Sequence, residues 1–188
     1  MRQLLKTTVV VSFIAMMSTG CSMVAPSYTP SLDNVQKLKD GGSAPLKVTA
    51  FKSEQNAENA NPISIRGSSL NSPYDQSYSA YLTAALKQEL SLANRLAPTS
   101  NVEVSGTLLK NDIDASGFSV GYSTVEARFV VKRDNNEVYN QVKSVKHEFP
   151  SSFAGAVAIP RAVQEYGISI QKLLASLFED KAFVEAIK

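Results

Sequence analysis

A single cysteine, Cys21, and a single histidine, His147, stand in a chain of 188 residues. One thiol excludes any intrachain disulfide, so the covalent staple of many small secreted domains is absent. One thiol and one imidazole also exclude a zinc site built from several cysteines and histidines. Asp112 and Asp114 stand two apart but lack the glycine and glutamate spacing of a calcium loop, and they read as residues of a solvated turn. There is no phosphate-binding loop and no Rossmann glycine fingerprint. A serine hydrolase would have to combine His147 with Ser68, Ser69, Ser151 or Ser152, and none of those serines lies in a Gly-x-Ser-x-Gly elbow. His147 falls between Lys146 and Glu148 in a strand pattern, where a sheet-face histidine is the plainer reading. The apolar stretch at 9–17 is far shorter than the roughly 20 residues a membrane-crossing helix needs.

That short stretch has its own meaning. Arg2 and Lys6 precede it, and the small residues Ser18, Thr19 and Gly20 follow, which is the layout of a cleaved signal segment over residues 1–20. Ser18-Thr19-Gly20-Cys21 resembles the lipobox of bacterial lipoproteins, with Ser18 where a leucine is common. The resemblance implies that the Cys21 thiol takes a diacylglycerol and that the new amino terminus is acylated. The covalent lipid on Cys21 is then the membrane anchor, and no other cofactor is expected. Several acyl chains give stable anchoring where a single chain gives only reversible binding. Ser22, in place of an aspartate, implies sorting to the outer membrane with the domain facing the periplasm. The alternative is an ordinary secretory leader followed by a spare thiol.

Without residues 1–20 the chain carries 17 cations against 17 anions. A net charge of zero gives no bulk attraction for nucleic acid. The 168 residues that follow the leader suffice for one domain with its own core. Residues 21–44 hold Pro26, Pro30, Gly41, Gly42 and several serines, the composition of a flexible tether, and 45–188 form the domain. As a coil of some 24 residues the tether would span about 25–30 Å. Within it, Ser31 could cap a short helix whose Leu32, Val35 and Leu38 share one side and dock on the domain.

In the domain, alternation predicts a strand at 46–52, a short one at 63–66 and a turn-rich connection at 67–74. Tyr78, Tyr81, Leu82, Ala85, Leu86 and Leu90 predict a helix over 75–94. Strands follow at 102–112, 119–133 and 137–149, the last two joined by a tight turn at Asp134, Asn135 and Asn136. A second long helix runs from 158 or 160 to 178, and Asp180 caps a short final one. This order predicts an α+β fold, an antiparallel sheet of about four to five strands covered on one face by two main helices.

Two segments are candidate contacts for a partner. Phe153, Val157 and Ile159 lie in an apolar, small-residue connection between the last strand and the long helix, either buried there or exposed as a patch for a protein or a lipid surface. Tyr74 and Tyr78 flank the start of the first long helix, either packed or available for recognition. Gly20-Cys21, the run Tyr81-Leu82-Thr83-Ala84-Ala85-Leu86-Lys87-Gln88-Glu89-Leu90, the strand Val102-Glu103-Val104-Ser105-Gly106 and the closing helix together resemble small bacterial envelope lipoproteins. These include YajG-like lipoproteins and the auxiliary lipoproteins of ABC-type transport systems. The resemblance implies a non-enzymatic envelope protein with a protein partner. A carrier for lipid or another apolar ligand is the alternative, and a serine-type hydrolase the distant one.

Overall fold

The computed structural model describes residues 21–188. The leader expected at 1–20 lies outside the described residues. In chain order the elements are β1 (Ser22–Val24), α1 (Leu32–Asp40), β2 (Lys47–Val48), β3 (Lys52–Ser53), β4 (Ile63–Ile65), β5 (Ser68–Asn71), α2 (Tyr78–Leu92), β6 (Val102–Asp114), β7 (Val120–Arg133), β8 (Asn136–Pro150), α3 (Gly155–Phe178) and α4 (Lys181–Ala186).

The long strands β6, β7 and β8 carry the main sheet. They run antiparallel in the order β6-β7-β8, and β7 and β8 are joined at Asp134 and Asn135, which adopt left-handed φ values of 50° and 66°. Asp and Asn tolerate that geometry, which matches the twist of the flanking strands. Val125, Ala127, Phe129 and Val131 of β7 point to one face and are fully buried, while Arg128 and Lys132 are exposed on the other. The buried face is covered by α2 and α3. Tyr81, Leu82, Ala85 and Leu86 of α2, and Tyr166, Ile170, Leu173 and Leu174 of α3, are almost wholly removed from water. The α+β architecture with helices on one sheet face is thus present.

The other end of the main sheet departs from the antiparallel expectation. The predicted strand at 46–52 is two strands of two residues, β2 and β3, both parallel to β6. The interruption has a local cause. Phe51 turns its amide to the Thr83 hydroxyl of α2 (2.9 Å) instead of to β6, and its ring drops onto Gly106 and meets the Phe129 ring edge-on at 5.6 Å.

A second, three-stranded sheet has the order β1-β5-β4. Its β4–β5 hairpin turns at Arg66 and Gly67, with φ values of 49° and 80°. The turn-rich reading of 67–74 missed β5, whose Leu70 is the one fully buried side chain of that strand.

The flexible tether expected at 21–44 is instead part of the fold. β1 pairs in parallel with β5, Ala25 and Tyr28 are buried, and α1 packs Val35 and Leu38 onto the domain while Leu32 stays exposed. Composition alone misleads here because one buried carboxylate binds the segment down. Glu89 of α2 is fully buried, and its Oε1 accepts from the Tyr28 hydroxyl, from the Ser31 amide (3.1 Å) and from Asn34 Nδ2 (3.3 Å). Among the described residues its Oε2 has no hydrogen-bond partner.

Burial raises the Glu89 pKa above the ordinary carboxylate range, and the hydrogen bonds from Tyr28, Ser31 and Asn34 only partly oppose it. The folded state therefore favours the protonated acid. The resulting stability is fully present below the unfolded pKa of about 4.3 and is lost as pH rises through the higher folded value. Glu89→Gln keeps an acceptor oxygen and removes the ionisation. Urea unfolding midpoints measured from mildly acidic to neutral pH should fall less with pH in that variant than in the parent chain. Equal slopes would show that Glu89 contributes nothing to the pH dependence.

Candidate functional site

The apolar connection after β8 and the loop between β6 and β7 lie side by side at one end of the main sheet. Ser151 donates its amide to the Ser119 carbonyl (2.8 Å) and its hydroxyl to the Ala115 carbonyl (3.3 Å). Arg66, at the tip of the β4–β5 hairpin, fastens both loops with one guanidinium. It donates to the carbonyls of Ala115 (2.7 Å), Gly117 (3.2 Å), Ser152 (2.7 Å) and Phe153 (2.8 Å). A planar fork of five N–H donors can serve several carbonyls at once, which an ammonium cannot match in geometry.

On this rigid base Phe118 and Phe153 stack face to face, with ring centroids 5.3 Å apart and planes 10° apart. They remain 76% and 74% exposed, and Val157, on the first turn of α3, is 60% exposed. The two rings and Val157, four residues along the chain from Phe153, make an exposed apolar ridge with polar backbone contacts beneath the rings. Ile159 is turned inward and packs against the core.

The other expected contacts are placed differently. Tyr78 is 1% exposed and donates to the Leu70 carbonyl (2.8 Å), so it is a core residue and not a recognition side chain. Helical spacing puts it one turn before Leu82 on the inward face, which decides its fate. Tyr74 is half-buried, and its hydroxyl accepts from the Tyr28 amide (3.1 Å) and from Gln88 Nε2 (3.2 Å). It helps fasten the N-terminal segment.

Cys21 is exposed with a free thiol, and its carbonyl accepts the Ser69 amide at 2.9 Å. Ser22 then pairs with Ser69 in β5. Cys21 therefore sits beside the start of β5, next to the turn that carries Arg66.

Arg66, the last residue of the strand expected at 63–66, and Phe118 are site residues that periodicity does not reveal. A lone phenylalanine between Gly117 and Ser119 in a turn was the available signal. Gly117-Phe118-Ser119-Val120-Gly121 also spells the Gly-x-Ser-x-Gly pattern, around a serine other than the four weighed as nucleophiles. Here it lies in a loop entering β7, not in the strand-to-helix turn that an elbow requires.

His147 is buried between β8 and α3 within a polar cluster. Its Nε2 lies 2.8 Å from Glu165 Oε2, its Nδ1 lies 2.7 Å from Lys172 Nζ, and Arg161 approaches Glu165 at 3.7 Å. An ammonium can only donate, so Nδ1 accepts and Nε2 carries the proton given to Glu165. Both ring nitrogens are thereby occupied. A nucleophile–histidine–acid relay needs one of them for a hydroxyl, and among the described residues no serine is hydrogen-bonded to His147. Ser151 and Ser152 are engaged in the loop contacts, Ser152 accepting the Ala154 amide (3.2 Å). Among the described residues no group of three potential metal ligands occurs, and no helix is long and apolar enough to cross a membrane.

No protein-family model and no curated protein matches the chain. Solved structures do. The crystal structure of protein XCC0632 from Xanthomonas campestris, assigned to the DUF330 family, aligns with a TM-score of 0.60 at 14% identity, over 87% of this chain and 96% of that one. A candidate lipoprotein of Caulobacter crescentus aligns with a TM-score of 0.47 at 9% identity, over 82% and 96% of the two chains, too slight a likeness to carry weight. At 14% identity the Xanthomonas protein is similar to this chain in fold alone.

Proposed function

We propose that this chain is an envelope lipoprotein, anchored in the outer membrane through lipid on Cys21, with a non-enzymatic domain that faces the periplasm and serves protein contacts in envelope assembly. The observation that carries the reading is the placement of Cys21. Its thiol is free and exposed at the rim of the fold, directly after a leader-like segment. Two surfaces are open to a protein partner: the polar sheet face opposite the helices and the free edge of β8. Among the described residues no strand pairs with the outer edge of β8, and its fifteen residues offer a row of backbone donors and acceptors to an added strand.

The anchor is tested on protein extracted from membranes. Intact-mass measurement and labelling with palmitate should show residues 1–20 removed and acyl chains on the residue that remains first, Cys21. Cys21→Ser should abolish the label and leave the leader attached. A mature chain with an unmodified thiol would refute the proposal. In-cell crosslinking from β8, followed by identification of the attached protein, tests the partner.

The carrier alternative needs an apolar space between helices and sheet. Side chains fill that layer: Leu82, Leu86, Phe129, Tyr166 and Leu173 are each no more than 1% exposed. A groove of about 440 Å³ does run along the outer side of α2, but Asp75, Ser77, Ser79 and Lys87 are among its lining residues. A filled core leaves no room for an apolar ligand and favours the interaction domain over the carrier.

A further inference from the structure

We infer that the Phe118–Phe153–Val157 ridge docks on the lipid surface to which Cys21 is anchored, so that the domain lies against the bilayer instead of hanging from it. The inference rests on the lipid anchor proposed above and adds the face that meets the membrane.

The geometry leaves little freedom. A coil after the anchor would hold the domain about 25–30 Å away. No such coil exists, because β1 begins at Ser22 and the Cys21 carbonyl is already bonded to Ser69. From Cys21 the route to the ridge crosses one strand pair to β5, one tight turn to Arg66 and one arginine side chain to the carbonyls of Ser152 and Phe153. Two strand spacings and that side chain amount to on the order of 15–20 Å. The modified sulfur and the exposed rings therefore share one end of the molecule, and the lipid that holds the first brings bilayer to the second.

The chemistry of the ridge suits that occupant. Two largely exposed phenylalanines and a valine offer apolar area without a hydrogen-bonding pattern that a protein partner would read. Arg66 satisfies the loop carbonyls behind them, so inserting the rings leaves those groups paired. Four residues beyond Phe118, Tyr122 carries Lys146 over its ring at 4.1 Å, a tyrosine and a long cation of the kind that sits at headgroup level. Asp114 and Glu148 flank Tyr122 in the sheet and offset that cation. The contact is therefore chiefly apolar and should depend little on anionic lipid.

The test uses the full lipidated chain in vesicles of phosphatidylethanolamine and phosphatidylglycerol. Lipid consumes the Cys21 thiol, so Phe153→Cys, Val157→Cys and Val142→Cys each supply one reactive thiol for a polarity-sensitive fluorophore. Val142 is eight residues back along β8 from its end at Pro150, some 26 Å away. Nitroxide-bearing lipids should quench labels at 153 and 157 by at least about half, the depth of an interfacial insertion, and leave the label at 142 bright. Phe118→Asp in the Val157→Cys chain should remove most of that quenching while the protein stays on the vesicles. Vesicle-bound protein with unquenched labels at 153 and 157, or with equal quenching at all three positions, overturns the docking and leaves the anchor standing. Release of the protein from the vesicles overturns both.

Discussion

Arg95→Ala should lower the unfolding free energy by about 3–5 kcal/mol, read as a fall in the urea midpoint at unchanged slope. Arg95 is 1% exposed and lies just past the end of α2, where Asn94 takes a left-handed φ of 57° and the Arg95 amide bonds back to the Leu90 carbonyl (2.8 Å). Its guanidinium donates to the carbonyls of Ala44 (3.0 Å), Leu38 (3.0 Å) and Ile187 (2.5 Å). Leu38 lies in the last turn of α1 and Ile187 is the C-cap of α4, so the cation meets the negative ends of two helices. Burial lowers its pKa from the ordinary value. Removing the side chain leaves three carbonyls without a donor and opens a void where the N-terminal segment, α2 and the chain end meet. Arg95→Lys should recover only part of the loss, since a single ammonium cannot reach three diverging carbonyls as a planar fork does. A loss below about 1 kcal/mol for the alanine variant would mean that water replaces the guanidinium at no cost.

Gly106→Ala should cost about 2–3 kcal/mol, a large penalty for one methyl group. A Cβ at Gly106 would lie 2.3 Å from the Arg128 carbonyl oxygen and 2.3 Å from the edge of the Phe51 ring. The ring could swing away, but the carbonyl belongs to the neighbouring strand β7 and moves only if the ladder opens. A Phe51→Ala background separates the two contributions. If the backbone contact dominates, Gly106→Ala should remain strongly destabilising there, measured by urea unfolding of the four chains of the cycle. Full relief in that background would assign the penalty to the ring.

Both effects depend on contacts between distant parts of the chain, and this marks the boundary of what periodicity reveals. Alternation over β7 and β8 and the Asp134-Asn135 turn are local properties, and the hairpin was legible to within a residue or so at each end. The two long helices were legible from the spacing of their buried positions, although α3 begins at Gly155, ahead of the expected start, and carries Pro160 at its sixth residue, where the Ala156 carbonyl loses its helical donor. Short elements were legible where a cap or an apolar pair marked them, as in α1, β4 and α4, and not elsewhere. β2, β3 and β5 have two to four residues, too few to establish a period, and they exist because β6 or β1 offers a partner edge. The site was half legible. Phe153 and Val157 were singled out by apolar content, but whether such a segment is covered or bare is not a local property.

The amino-acid sequence by itself determined the leader-like start, the lone thiol at its end, the three long strands and the two long helices, since each depends on neighbours within a few residues. Only the tertiary structure decided that residues 21–44 fold against the domain, because a single buried carboxylate, Glu89, gathers donors from Tyr28, Ser31 and Asn34 across more than fifty positions. Only the tertiary structure decided, too, that Phe118 and Phe153 stand bare at the same end of the molecule as Cys21. Burial is settled by which surfaces meet, and no stretch of chain carries that information alone.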